Sequence, residues 1–304
     1  MIKIFNVWCA MDFKNLSTFI QVAELNSFTK AGEKLGYSQP TISFQIKQLE
    51  KDLGVQLFER IGHTITLTEK GKNALAYAQQ ICRTSEEMLQ LASKDCEPKG
   101  IIRLAMADSL CTPLIINKFV EFTALYPKVS LNIKTAGTDE LFRLLDQNEA
   151  DIVCTLDNHI YNTSYIISDE EKIGVNFVCS VQNSLSGLKK ITIADLLTQP
   201  FILTEKGMSY RRLLDEKLAQ KSIEIQPILE IGSADHISKL VEENAGIAFL
   251  PDYVTEKAVK EKKIVRLSVA DINIELWKQL LYHRNKWVSL QMQAVIDFIS
   301  NIKL

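Results

Sequence analysis

The chain lacks long apolar runs. Its longest apolar stretches fall well short of the ~18 residues that a membrane-spanning helix requires, and no stretch resembles a signal peptide, so a cytoplasmic location is expected and a membrane partner is not. It also lacks cysteine in any useful pattern. Cys9, Cys82, Cys96, Cys111, Cys154 and Cys179 form no CxxC pair and meet no histidine at metal spacing, which argues against a disulfide or zinc framework. No glycine-rich phosphate loop or metal-binding cluster is present, and no cofactor is expected. Ser109, Asp235 and His236 can be arranged on paper as a triad, but no Gly-x-Ser-x-Gly elbow surrounds the serine, and the reading is that the chain is not an enzyme. A strong charge of either sign is missing too, the formal net charge being -2 over 304 residues.

What is present is an ordinary globular composition, 46% hydrophobic and 24% charged, with length enough for two domains and a connector. The stretch from Asn26 to Leu49, NSFTKAGEKLGYSQPTISFQIKQL, reads as two short helices joined by a tight turn. Ser27 can cap the first, whose Phe28, Ala31 and Leu35 share one side. Gly36-Tyr37 breaks that pattern, Ser38 offers the next cap, Pro40 sits in a first turn where a missing N–H does no harm, and Ile42, Ile46 and Leu49 form a second apolar stripe. Pro40, Phe44, Lys47, Gln48 and Lys51 point away from it, a mixture of groups suited to base edges and phosphates in a major groove.

The flanks add what such a pair needs. Leu16, Phe19, Ile20 and Ala23 supply a third helix, Arg60 to Leu67 alternates like a small hairpin or wing, and Thr68 caps a long helix with Leu75, Ala78, Cys82, Met88, Leu89 and Ala92 along a seam that could pair with a second copy.

The segments Ser27-Phe28-Thr29-Lys30-Ala31, Ser38-Gln39-Pro40-Thr41-Ile42-Ser43, Leu49-Glu50, Leu53-Gly54, Leu57-Phe58-Glu59-Arg60 and Leu67-Thr68-Glu69-Lys70-Gly71 together resemble the DNA-binding domain of LysR-type transcriptional regulators. Arg103 to Cys111, Glu149-Ala150-Asp151-Ile152 and Gly246 to Pro251 are similar to successive parts of that family's effector domain, so the resemblance runs from Met11 to near the end. It implies an α/β protein overall: a mostly α winged helix-turn-helix at 11–68, a linker and dimerisation helix at 69–97, and a periplasmic-binding-protein-like α/β effector domain at 98–304. Within the last, one subdomain is expected at about 98–160 and 268–304 and the other at about 161–267, with crossings near Asp157 to Ser168 and Val265 to Asn273. Residues 1–10 lie outside the resemblance; either translation starts at Met11 or this segment adds a contact of its own.

DNA contacts are expected from Ser27, Thr29, Lys30, Lys34, Ser38, Gln39, Pro40, Thr41, Ser43, Phe44, Lys47, Arg60 and His63. Between Asp12 and Gly71 seven cations face seven anions, so affinity should come from local placement and from assembly of two or four chains rather than from a general basic field. Gln39 can bond adenine or merely solvate a helix start, and Phe44 can meet a thymine methyl or fold against the wing.

From Gly100 onward strands alternate with helices: Ile101 to Ala107, Val129 to Thr135, Asp151 to Thr155, Gly174 to Ser180, Phe201 to Thr204, Ile228 to Ile231 and Ile247 to Leu250 suggest βα units and parallel sheets. A ligand in such a fold sits at strand ends and helix starts. Asp108, Ser109, Leu110, Thr112, Gly137, Thr138, Thr204, Arg211 and Ser233 occupy those positions and point to a small polar or anionic effector, although each hydroxyl could be a plain cap and Arg211 a surface ion pair. The expected function is sequence-specific transcriptional regulation from an operator with an inverted repeat, acting as a homodimer or homotetramer, with RNA polymerase a further partner. The alternatives are a solute-binding module without a regulatory role and a thiol-based redox-responsive regulator.

Overall fold

Residues 12–61, 64–92, 97–188, 190–269 and 272–304 are described by the structure, a computed structural model. They fall into two units, Met1–Glu97 with Arg284–Ser289, and Pro98–His283 with Leu290–Leu304. His63, Cys9, Cys96 and the first ten residues lie outside the described residues, and the side chains of Met88, Leu89 and Ala92 are likewise not described.

In the first unit, α1 (Phe13–Leu25), α2 (Phe28–Leu35) and α3 (Gln39–Leu53) precede the antiparallel pair β1 (Phe58–Ile61) and β2 (Thr64–Leu67) and the long α4 (Glu69–Ala92). The first three helices begin where a short polar side chain can take an orphan amide: Asp12 accepts from Lys14 N, Ser27 from Lys30 N and Ser38 from Thr41 N. Gly36 ends α2 at φ 72°, a left-handed conformation that costs glycine nothing and lets the chain turn at once into the next cap. Phe19, Ala31, Ile42, Ile46, Leu49 and Leu57 fill the core, and Phe58 sets its ring edge against Phe19 and Phe28 at 5.5 and 5.7 Å. One buried polar pair crosses this core, Thr18 Oγ1 donating to Gln45 Oε1 over 2.8 Å. Glu50 Oε1 accepts from Leu57 N and Phe58 N at 2.8 and 3.3 Å, which fixes where the hairpin leaves α3.

Two features of this unit differ from expectation. Leu75 and Ala78, expected on a seam between copies, are buried against this unit's own core, and Tyr77 and Ile81 are the large apolar residues exposed on α4 among the described residues. Arg284–Ser289, expected in the second domain, belongs here: Trp287 packs on the apolar cluster and its N–H donates to Glu24 Oε1 at 2.9 Å.

The second unit contains two main sheets. The first joins β3 (Gly100–Met106), β4 (Val129–Thr135), β5 (Ile152–Asp157), β6 (Tyr165–Ile173) and β12 (Leu276–His283) in the order β4-β3-β5-β12-β6; β3 pairs in parallel with β4 and β5, whereas β12 is antiparallel to β5 and β6. The second is antiparallel and comprises β7 (Val175–Ser180), β10 (Ala248–Pro251) and β11 (Ile264–Leu267) in the order β10-β7-β11. A short parallel pair, β8 (Ile202–Leu203) and β9 (Leu229–Glu230), lies next to β10. Where parallel sheets were expected, the first sheet is mixed and the second is antiparallel. Helices α5 (Asp108–Leu114), α6 (Phe119–Leu125) and α7 (Thr138–Asp146) follow the early strands, α8 (Ile193–Leu196), α9 (Ser209–Ala219), α10 (Ala234–Glu242) and α11 (Asp252–Lys260) belong to the later half, and α12 (Leu290–Ser300) closes the chain.

The first crossing also lies later than expected. The chain stays in the first sheet to Ile173 and leaves it at Gly174, where a Cβ would collide with the Asp252 carboxylate and where the carbonyl accepts from Asp252 N at 2.8 Å. Strand β6, YIISDEEKI, is hidden by its charges because it lies at a sheet edge, where charged side chains are tolerated and discourage further pairing. In β12 the apolar pattern is interrupted by Lys278 and Gln279, both fully buried. Lys278 is held by Glu171 at 2.8 Å, Asp169 at 3.4 Å and the Ile302 carbonyl at 3.1 Å.

Candidate functional site

Helix α3 presents two opposed faces. Ile42, Ile46 and Leu49 are buried in the core, and Gln39, Pro40, Phe44, Lys47 and Lys51 are exposed. Phe44 is 69% exposed and stands outside the apolar cluster, a position no folding requirement explains. The start of the helix is ordered by its own side chains: Ser38 Oγ and Thr41 Oγ1 share a hydrogen bond of 2.8 Å, and Gln39 Nε2 donates to Ser43 Oγ at 2.9 Å. These groups are thus fixed in orientation and still open on the outer side.

The remaining expected contacts spread around this helix. Ser27 caps α2 beside exposed Thr29 and Lys30. Lys34 is exposed but lies 3.6 Å from the buried Glu24 carboxylate, so part of its charge is spent within the domain. Arg60 is placed by its backbone alone, opposite Ile65 in the hairpin. Glu24 is turned inward and Glu50 is engaged with two backbone amides, while Lys30, Lys47 and Lys51 are exposed cations on α2 and α3.

In the second unit, β3, β8 and the starts of α5, α9 and α10 converge on a narrow cavity of about 20 Å³, room for about one water. Asp108, Ser109, Thr204, Ser209 and Tyr210 supply its polar lining, with Ala107, Ala136, Met208, Gly232 and Ala234. Helices α5, α7, α9 and α10 all begin without a side-chain cap, at Ala107, Gly137, Met208 and Ser233, in contrast to the three capped helices of the first unit. Their first amides stay available to a ligand acceptor. Thr204 Oγ1 and Tyr210 OH face each other without completing a hydrogen bond of good geometry, and Thr138 Oγ1 is buried without a partner.

Burial raises the Asp108 carboxyl above its usual range, and neighbouring Asp235 raises it further while His236 opposes the shift. Burial likewise pushes the Tyr210 and Tyr253 phenols up. Two bonds bridge the cleft: Ser109 Oγ meets Tyr253 OH at 2.8 Å, and Thr112 Oγ1 donates to Asp235 Oδ2 at 2.8 Å.

Of the effector residues expected from sequence, Asp108, Ser109 and Thr204 line this cavity, and Gly137, Thr138 and Ser233 lie at the helix starts beside it. A Cβ on Gly137 would stand 3.2 Å from Met208 Sδ, close to one wall. Leu110 is fully buried in the core, and Thr112 faces Asp235 on a separate, open depression. Arg211 is 1% exposed and borders another depression; its Nε bonds Asp215 at 2.8 and 2.9 Å and its Nη1 bonds the Thr204 carbonyl at 3.0 Å, so it holds the end of β8 in place. Sequence reasoning missed Tyr210 and Tyr253. Both follow a strand end by a few residues and open a helix, a position that could have been searched for aromatic hydroxyls as it was for serine and threonine.

Burial moves the Cys154 thiol to about 12 and the Cys179 thiol to about 11, and Cys111 is raised by burial and by Asp108. All three favour the thiol over the reactive thiolate.

Comparison with known proteins agrees with both halves. Residues 13–72 match the bacterial regulatory helix-turn-helix protein, lysR family, and residues 96–302 match the LysR substrate binding domain. The chain is 31% identical over 292 residues to the HTH-type transcriptional regulator YwqM of Bacillus subtilis (strain 168), covering 94% of this chain and 98% of that one. It is 28% identical to the HTH-type transcriptional activator CmpR of Synechocystis sp. (strain ATCC 27184 / PCC 6803 / Kazusa), over 92% of each chain. Among solved structures, a point variant of full-length OxyR from Pseudomonas aeruginosa shares the fold with a TM-score of 0.57 at 18% identity, over 96% of both chains, and CrgA from Neisseria meningitidis with 0.53 at 20%, over 95% and 98%. With its helix-turn-helix and its effector-binding domain, the chain belongs to the family of LysR-type transcriptional regulators.

Proposed function

We propose that this regulator reads its operator with the exposed face of α3 and responds to a small polar effector taken into the cleft of the second unit. At the DNA, Gln39, Thr41, Ser43 and Phe44 face base edges while Ser27, Thr29, Lys30, Ser38 and Lys47 meet the backbone, the division of labour that separates specificity from positioning. Pro40 shapes the helix start between them.

A second copy of the chain is the natural partner. Tyr77 and Ile81 stand one turn apart on α4 and are 68% and 38% exposed, an apolar stripe on a helix about 36 Å long. In the second unit Phe119 and Val120 on α6, with Ile116 before it, add an exposed apolar patch. A two-fold pair of recognition helices reads half-sites about one turn or a multiple apart, so the operator contains an inverted repeat. The protein acts in the cytoplasm with RNA polymerase as a further partner, a setting consistent with the absence, among the described residues, of a helix long and apolar enough to cross a membrane.

The observation that carries the effector reading is the meeting of uncapped helix starts with the incompletely bonded Thr204 and Tyr210 hydroxyls at one cavity. Its limited volume means that the effector enters by opening the cleft, and the population so shifted changes the geometry of the paired DNA-binding units. No thiol chemistry is invoked. Ser109→Trp fills the cavity and removes the effector response of a reporter driven by the operator; retained induction in a folded Ser109→Trp protein refutes the pocket.

A further inference from the structure

The cleft has a charge that its polar lining alone does not reveal. Asp108 is the charged residue of the cavity wall, and no Lys or Arg lines it. Asp235 lies close enough to disfavour the Asp108 anion, His236 offsets less than Asp235 adds, and among the described residues no Lys or Arg forms an ion pair with either carboxylate. The uncapped helix starts do not reverse this sign, because three of the four already carry the chain's own acids in the first turn: Asp108 in α5, Asp139 and Glu140 in α7, and Asp235 in α10. An anion entering here would approach an uncompensated carboxylate. The other polar wall is equally suggestive. Thr204 and Tyr210 line the cavity at 6% and 3% exposure, and their hydroxyl oxygens are buried without a well-formed hydrogen bond. A carboxylate and two hydroxyl oxygens make a set of acceptors that matches the three donors of an ammonium group.

Granting that the effector binds in this cleft, we infer that it carries a cationic nitrogen, seated on the Asp108 carboxylate with Thr204 and Tyr210 as its further acceptors, while the free amides at the helix starts take neutral oxygen atoms of the same molecule. This narrows the polar-or-anionic expectation from sequence to an amine or other nitrogen cation.

The test uses purified full-length protein at constant ionic strength and three probes of one size that differ in charge: butylammonium, butanol and butyrate. Thermal unfolding is followed for the wild type, Asp108→Asn, Thr204→Val and Glu256→Gln, the last an exposed carboxylate on α11 that pairs with Lys260. The expected result is that butylammonium at millimolar concentration raises the midpoint by about 2 °C or more over butanol and butyrate, by mass action on the folded state. That advantage disappears in Asp108→Asn, shrinks in Thr204→Val and persists in Glu256→Gln. Preferential stabilisation by butyrate, or an ammonium advantage that survives Asp108→Asn, overturns the cationic assignment; if such a shift is nevertheless lost in Thr204→Val, the cleft stands as the binding site and only the charge is wrong. No shift with any probe overturns the assignment and the cleft together.

Discussion

Ser109 Oγ and Tyr253 OH are 2.8 Å apart, and this bond ties α5, in the half of the second unit built on the first sheet, to α11 in the other half. The Thr112–Asp235 bond does the same between α5 and α10. Both are side-chain bonds between hydroxyl or carboxylate groups, the first from the cavity-lining Ser109 and the second on the separate depression at Thr112 and Asp235, so they hold the two halves together at little cost and break singly.

Loss of one latch is therefore expected to favour the open form. A single neutral hydrogen bond contributes about 1 kcal/mol, so Tyr253→Phe strengthens effector binding by up to about fivefold while lowering thermal stability slightly. Calorimetric titration of the variant with a bound effector checks this, and weaker binding than wild type shows that the phenol instead touches the ligand.

Asp108 gives a pH signature. Its folded-state carboxyl titrates above the usual range, so it contributes stability while protonated and that contribution is lost as pH rises through its folded value. At neutral pH Asp108→Asn raises the thermal midpoint of the effector-free protein, and the gain fades toward pH 4. Thermal unfolding of both proteins across that range measures it.

The buried ammonium of Lys278 supports the fold. Lys278→Met leaves Glu171 without its ammonium partner and Asp169 with only the exposed Lys303 at 3.5 Å, and a loss of about 3 kcal/mol is expected, readable as a lower denaturant midpoint. Adding Glu171→Gln recovers part of it.

On the DNA side, Phe44→Ala changes folding stability by no more than about 0.5 kcal/mol because the ring is exposed, but costs about 1–3 kcal/mol in binding to the specific operator. Lys47→Ala weakens binding to all sequences alike and lowers the salt slope by about one. Fluorescence anisotropy over a salt series separates the two behaviours.

The recognition helix was legible because its information is local: Ser38, Pro40 and Gly54 mark its ends, and Ile42, Ile46 and Leu49 mark its inner face. The hairpin and the caps at Ser27 and Ser38 follow from the same short-range rules. What resisted reading depends on tertiary partners. The β12 strand is disguised by Lys278, whose burial is tolerated only because Glu171 and Asp169 arrive from β6; the docking of Trp287 on the first unit rests on Glu24, over two hundred residues earlier. The cavity was half visible. Asp108, Ser109 and Thr204 are found by their places at strand ends, whereas Arg211 looks like a ligand contact until its Nε is seen on Asp215 and its Nη1 on the Thr204 carbonyl.

Operator recognition by α3 is tested most directly by one measurement: binding of the purified full-length protein to the DNA immediately upstream of its own coding sequence, against unrelated DNA of equal length, over a salt series. A selective complex that weakens with salt, protects an inverted repeat and loses its selectivity in Phe44→Ala is the predicted result. Equal binding to both DNAs, or selectivity untouched by the Phe44 substitution, contradicts it.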